Sequence, residues 1–393
     1  MGSHPLFEHT LIDTTDCFWG WPPTEPGYVS RGCVTVADYD GDGYPEYTIG
    51  GVHREDEQGF LFQYDRDPGT GEWSRRELFP DFWPDVGAVA LDVDGDGNPE
   101  LVCSDNEHGI LRWVVLAPDR DDYGTSHKVT EPGPLGYHDI LAADLDGDGR
   151  EEIIGREKGL RLLYHHIPEE DPTGQWPVTV IDDEVPGDGT LVAHLSDSPG
   201  LDVVTAVAWY ENVAGDGTEW ERHPVLPPDL DWHPETRITM GDVDGDGEAE
   251  LVVTESEEDT GARLAVCSRP ESDDDYWDVE VLFPAEADYR AMHSLALADF
   301  DGDGILEIFT AEMENRKTDG VETQPRWYLL SYEDGEWERD VLLDENLGTH
   351  CATVIDANGD GRPDIIGKTW RANEVNGVDG QNHIDLLTNV GGR

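Results

Sequence analysis

The nonapeptide D-x-D-G-D-G-x-x-E occurs five times in this chain, at 38–46, 92–100, 144–152, 242–250 and 299–307, and a variant, DANGDGRPD, fills 356–364. A decayed copy, HLSDSPGLD, lies at 194–202, where His194 and Ser196 stand in place of the first two acids. That makes seven units, 48 to 57 residues apart. Repetition at such a period requires a fold assembled from one small unit used many times. An alternating run enters each acidic loop (CVTVAD, ILAAD, SLALAD) and a second leaves it (EYTIGG, EIIG, EIFTAE). A third follows (FLFQY, LRLLYH, RWYLLSY), then a polar turn and a fourth (WSRRELF, WPVTVID, WERDVLL). Period-two patterning over four short strands is a β-meander. Seven of them predict an all-β, seven-bladed β-propeller of four-stranded antiparallel blades, with 1–393 as one domain. FEHTLID at the start reads as a fourth strand without its unit, and HIDLLTN near the end as a third strand without its fourth. The N-terminal strand is therefore expected to pair into the C-terminal blade and close the ring without an open edge.

The chain carries 88 acidic residues against 25 basic ones, a formal charge of −63. Such a field repels nucleic acid and anionic membranes, so neither is an expected partner. Low hydrophobicity with high charge also marks disorder, but 13 Trp, 13 Tyr and evenly spaced apolar runs predict a folded core. Bound metal does not account for the acidity: six divalent ions would offset only 12 of the 63 charges. With only four lysines (Lys128, Lys158, Lys317, Lys368), the composition resembles that of proteins from salt-accumulating halophiles. Molar salt there shortens the screening length to about 3 Å. A cytoplasmic protein of such an organism is the expectation, with a secreted mature chain as the alternative; no signal peptide or membrane-length apolar run is visible. The five cysteines lack CxxC spacing and read as small buried hydrophobes.

Oxygen ligands at loop positions 1, 3, 5 and 9, with glycines at 4 and 6 for the turn, suit a hard cation such as Ca²⁺. The expected ligands are Asp38, Asp40, Asp42 and Glu46; Asp92, Asp94, Asp96 and Glu100; Asp144, Asp146, Asp148 and Glu152. They continue with Asp242, Asp244, Asp246 and Glu250; Asp299, Asp301, Asp303 and Glu307; and Asp356, Asn358, Asp360 and Asp364. Up to six structural calcium ions are expected, and none in 194–202. An EF-hand is excluded, because the last acid falls at position 9 and strands flank the loop. The loops and their frame resemble the FG-GAP/VCBS propeller repeats, seen also in integrin head domains. A loop present in six of seven blades is a brace, not a unique active site.

Unique residues belong on the opposite face, where second-to-third turns and blade connections meet at the mouth of the central channel. The position six residues before each acidic loop begins the innermost strand there. It holds Gly32, Val86, His138, Asp188, Thr236, His293 and His350. Three histidines and an aspartate at one position of a core strand point to chemistry. The turns add His53 and Arg54, Asp105 and His108, Arg156, Trp209 and Tyr210, Glu255 and Glu257, Glu312, and then Lys368 and Trp370. The expected catalytic set is His138, His293, His350, Lys368 and Glu312. Substrate contacts are expected from His53, Arg54, His108, Arg156, Trp209, Tyr210 and Trp370.

GxSxG, P-loop, HExxH and dinucleotide fingerprints are absent. A neutral histidine suits proton abstraction beside a carbonyl, with Lys368, Arg54 or a His-bound Zn²⁺, Mn²⁺ or Mg²⁺ holding the enolate-like charge. Elimination from a sugar derivative follows, so a carbon–oxygen lyase is the leading expectation. The segments HSLALADFDGDGILEIFTAEM, GTHCATVIDANGDGRPDIIGKTW and NHIDLL resemble the propeller part of aldos-2-ulose dehydratases. Those are metal-dependent enzymes that eliminate water from keto-sugars such as 1,5-anhydrofructose. The matching positions are His293, Glu312, His350 and Lys368, with His138 in YHDILAADLDGDG. The resemblance implies a sugar site with a divalent cation held partly by histidine. Propeller lyases acting on uronate-containing glycans use related chemistry. The competing class is a non-catalytic, calcium-dependent lectin, which predicts one pocket repeated between blades; here the irregularities gather in one sector.

Overall fold

The computed structural model describes residues 5–14, 34–53, 58–105, 108–116, 124–132, 136–157, 161–258, 260–285, 289–314, 324–370, 378 and 381–391. Seven four-stranded antiparallel sheets account for its strands, one for each sequence unit. They are the blades of an all-β propeller. Among the described residues the only helix is the single 3-10 turn Pro228–Leu230. No helix there is long and apolar enough to cross a membrane.

The chain divides into two compact units, Arg31–His223 and Met1–Ser30 with Pro224–Arg393. Blades one to four belong to the former, and blades five to seven with the N-terminal strand to the latter. Blade six shows the common plan, with strands Met292–Ala298, Glu307–Glu312, Trp327–Glu333 and Glu336–Leu343 in sequence order. Its second strand, EIFTAE, is buried along its whole length because both faces meet neighbouring blades. Its fourth, EWERDVLL, is exposed at half of its residues and carries four charged side chains, which discourages edge-to-edge pairing.

The unmatched ends of the sequence meet as expected. Phe7–Asp13 pairs antiparallel with Ile384–Asn389, setting Phe7 opposite Asn389 and Thr10 opposite Leu386. Within each unit the blades are joined by apolar layers. Phe309, Trp327, Ile365 and Leu387 form one layer, and Val252, Leu264, Ile308 and Tyr328 another. In the other unit Val102, Trp113, Ile140 and Ile153 do the same. Each such side chain contributes about 1.5–3 kcal/mol when fully buried.

Candidate functional site

The acidic loops are ordered by their own carboxylates. In blade one Asp38 accepts the N–H groups of Gly41 and Gly43 at 2.7 and 2.9 Å, and Asp42 accepts that of Tyr44 at 2.8 Å. Glu46 accepts the Tyr39 N–H at 2.7 Å. Gly41 and Gly43 have φ of 76° and 91°, where a side chain would be strained, so the turn requires glycine. Ligand oxygens of Asp38, Asp40, Asp42 and Glu46 lie within 4.8 Å of one another. The bonds recur from Asp92, Asp144, Asp242 and Asp299. Burial, reinforced by the neighbouring aspartates, pushes Glu46, Glu100, Glu152, Glu250 and Glu307 up to about 7. Carboxylates this crowded hold a proton near neutrality, or a hard cation in its place.

Blades four and seven are braced differently, with Asp instead of Glu at position nine. Asp202 accepts N–H groups from Leu195, Ser196 and Asn212 at 2.8–2.9 Å and the Ser196 hydroxyl at 3.1 Å. Asn212 then donates to the Leu145 carbonyl of blade three at 2.7 Å and accepts the Gly217 N–H at 2.9 Å. In blade seven Asp364 accepts the Ala357 and Asn389 N–H groups, and Asn389 donates to the Phe300 carbonyl of blade six at 2.7 Å. The shorter acid is thus accompanied by an asparagine that ties the blade to its predecessor. Asn212→Ala should cost about 3 kcal/mol, because it strands a buried carbonyl and a buried N–H. Thermal unfolding should show the same loss with Ca²⁺ and with EDTA.

Unique side chains converge in blades five to seven. His293 sits where the register slips between Met292 and Ser294, and a bulge of this kind re-aims a side chain. Its Nδ1–H donates to the His350 carbonyl at 2.5 Å. A carbonyl only accepts, so the neutral ring carries its proton on Nδ1 and keeps a lone pair on Nε2. On that nitrogen converge the Arg237 guanidinium at 2.9 Å and Glu257 Oε1 at 3.2 Å. The His350 ring stacks on His293 with centroids 3.8 Å apart, and Trp370 stacks on His350 at 5.5 Å. The two histidines are buried, whereas the Glu257 side chain is 25% exposed and opens the group to solvent. One ligand atom from each of Glu257, His293 and His350 lies within 4.8 Å of the others. Two imidazoles and a carboxylate are a donor set suited to a divalent transition metal, and the His293 carbonyl bond is the outer contact that orients such a ligand. The donor set suits a cation, which would take the His293 Nε2 position in place of the Arg237 N–H.

Lys368 supports this group through its backbone. It is fully buried at the end of its strand, and its carbonyl accepts the His350 N–H at 2.9 Å and the Thr349 hydroxyl at 3.0 Å. Glu312, expected in the catalytic set, is held by contacts within its own blade. It accepts the N–H groups of Arg290 and Arg326 and the Tyr328 hydroxyl at 3.0–3.1 Å, and burial pushes its carboxyl up to about 7. The same strand position holds Asp105, Glu157 and Glu255, which accept from Arg112, Arg161 and Arg263 at 2.6–2.9 Å. A contact repeated in four blades is a clamp between second and third strands.

The remaining expected residues lie in the unit Arg31–His223. His138 and Asp139 occupy the bulge between Tyr137 and Ile140. His138 Nδ1 is 2.9 Å from Asp139 and Nε2 is 3.4 Å from Asp188. Both nitrogens face carboxylates, so the ring is engaged within a His–Asp–Asp group. Arg156 is buried nearby, donating to the carbonyls of Val185 and Gly187. His108 pairs with Asp105 at 3.0 Å. Trp209 and Tyr210 lie within the strand Ala208–Asn212, not in a turn. Trp209 is buried and stacks on His223, while the buried Tyr210 donates to Asp182 at 2.7 Å, so neither presents a face to a sugar. Arg54 and the side chain of His53 lie outside the described residues.

Arg237 was not legible as a site residue. Its only signal is that the corresponding position in the other units holds Cys33, Gly87, Asp139, Gly189, Ser294 and Cys351, never a cation. Among known proteins, the FG-GAP-like repeat family model matches residues 38–103, 92–155 and 299–367. No curated protein matches the chain. Built from blades that carry these loops, the chain belongs to the FG-GAP-repeat β-propellers.

Proposed function

We propose that this propeller is a carbohydrate-active lyase that carries out β-elimination on a keto-sugar or uronate-containing sugar at Glu257, His293 and His350. The reading rests on one observation, the convergence of the Arg237 guanidinium and Glu257 Oε1 on His293 Nε2 while Nδ1 is fixed on a carbonyl. A divalent cation held by Glu257, His293 and His350 would polarise the substrate carbonyl. The chain's own residues supply the rest. Glu257, the most exposed member, takes the proton next to the carbonyl on the carboxylate oxygen that the cation would not use, and Arg237 places positive charge where the enolate oxygen develops. The carbon–oxygen bond at the β position then breaks, and its oxygen leaves as water or an alcohol with the proton that Glu257 took. Trp370, beside His350, offers a ring face for the sugar.

The acidic loops serve as structural calcium sites, up to six in number, and the net charge of −63 suits the cytoplasm of a salt-accumulating organism. The test of the catalytic reading is incubation with Mn²⁺ or Zn²⁺ and a keto-sugar or uronate glycan, followed by ultraviolet absorbance of an unsaturated product. Retention of the sugar without product would favour the lectin alternative. Neither product nor retention would overturn both.

A further inference from the structure

We propose that Glu211, Glu221 and His223 in blade four form a surface site for a borderline divalent cation such as Zn²⁺. The site shares no residue with the acidic loops or with the His293 group. The Val213 N–H donates to the Glu219 carbonyl at 3.0 Å, and this register sets Glu211 opposite Glu221 and Trp209 opposite His223 on adjacent strands. All four side chains therefore lie on one face of the pair. Two glutamates directly opposed across strands repel each other, and a chain of this net charge gives no general screening of that repulsion.

A cation placed between them removes the conflict, and the third ligand is already oriented. His223 is 7% exposed, and its ring is fixed by stacking on Trp209 with centroids 4.2 Å apart. Its Nε2 lies 3.3 Å from Glu211 Oε2. That separation equals the edge of a tetrahedron around an ion with bonds of about 2.0–2.1 Å, the length of Zn–N and Zn–O bonds. A ligand atom of Glu221 completes the set, all within 4.8 Å of one another. One nitrogen and two oxygens favour Zn²⁺, Co²⁺ or Mn²⁺ over Ca²⁺, which takes oxygen. Blade four is also the blade whose acidic loop has decayed and is closed by hydrogen bonds from Ser196 and Asn212.

The test is titration of the full-length protein with Co²⁺ in saturating Ca²⁺, read by visible absorption, with Zn²⁺ competition. Glu221→Gln and Glu211→Gln should each remove one equivalent of bound Co²⁺, or weaken that site at least about tenfold. Glu221 is exposed, so its variant should stay folded. Without transition metal Glu221→Gln should melt no lower than the parent, because a repulsion is gone; with Zn²⁺ the parent should be the more stable. Unchanged stoichiometry and affinity in both folded variants would reduce the group to a His–Glu hydrogen bond and overturn the proposal.

Discussion

Stripping divalent cations with EDTA at pH 8 and moderate salt should lower the melting temperature by at least ~15 °C or abolish cooperative unfolding. An ion that binds only the folded state contributes about 2.7 kcal/mol when present at a hundred times its Kd. Five complete loops would together contribute more than about 10 kcal/mol, comparable with the whole stability of an ordinary domain. Each loop without its ion leaves three aspartates and a buried glutamate in mutual repulsion. Molar NaCl should recover part of the loss by screening the exposed aspartates, and little of it at the buried glutamates. Calorimetry with and without EDTA at two salt concentrations measures this. An unchanged midpoint at moderate salt would mean that the loops are braced by hydrogen bonds alone, as in blade four.

The pH dependence should change sign with the ion. In the ion-free protein Glu46, Glu100, Glu152, Glu250 and Glu307 titrate near 7, above the usual glutamate range. The folded state then binds protons more tightly than the unfolded chain between about pH 4.5 and 7. Ion-free protein should therefore gain stability as pH falls through that window, and its deficit should be complete above 7. Calcium-loaded protein should lose stability over the same window, because protons displace the ion. The melting temperatures of the two forms should therefore converge at pH 5 and stand furthest apart at pH 8.

How far the sequence carried depends on whether a feature repeats. Strand order, blade number and the pairing of Phe7–Asp13 with Ile384–Asn389 follow from a pattern written seven times and cut at both ends. The start-of-strand histidines were found because alignment of the units isolates one position, and the structure stacks His293 on His350 there. The Glu312 contacts were not legible because its position was read in one blade. Across four blades it is an acid clasping the start of the third strand. Trp209 and Tyr210 misled because the turn after Thr205 is short, so residues taken as a loop are strand. Arg237 was invisible because no local pattern announces which strand residue a neighbouring blade's bulge will meet.

Glu257→Gln should reduce turnover by about a thousandfold, within the range for removal of a positioned acid–base group, while the melting temperature moves by less than about 2 °C. The amide keeps the shape of the carboxylate but cannot take a proton, and it is a poor partner for a cation. Its side chain is partly exposed, so little packing is lost. His350→Ala should also abolish product formation, at a larger cost in stability because the His293–His350–Trp370 stack is opened. Glu312→Ala supplies the opposite pattern. It removes the acceptor for two backbone N–H groups and a tyrosine hydroxyl, so it should cost about 2–4 kcal/mol while the folded fraction turns over normally. Two glutamates that follow adjacent acidic loops are thus separated by measurement, Glu257 through rate and Glu312 through stability. Equal effects of both variants on rate per folded molecule would return Glu312 to the chemistry and remove the ground for choosing Glu257 as the base.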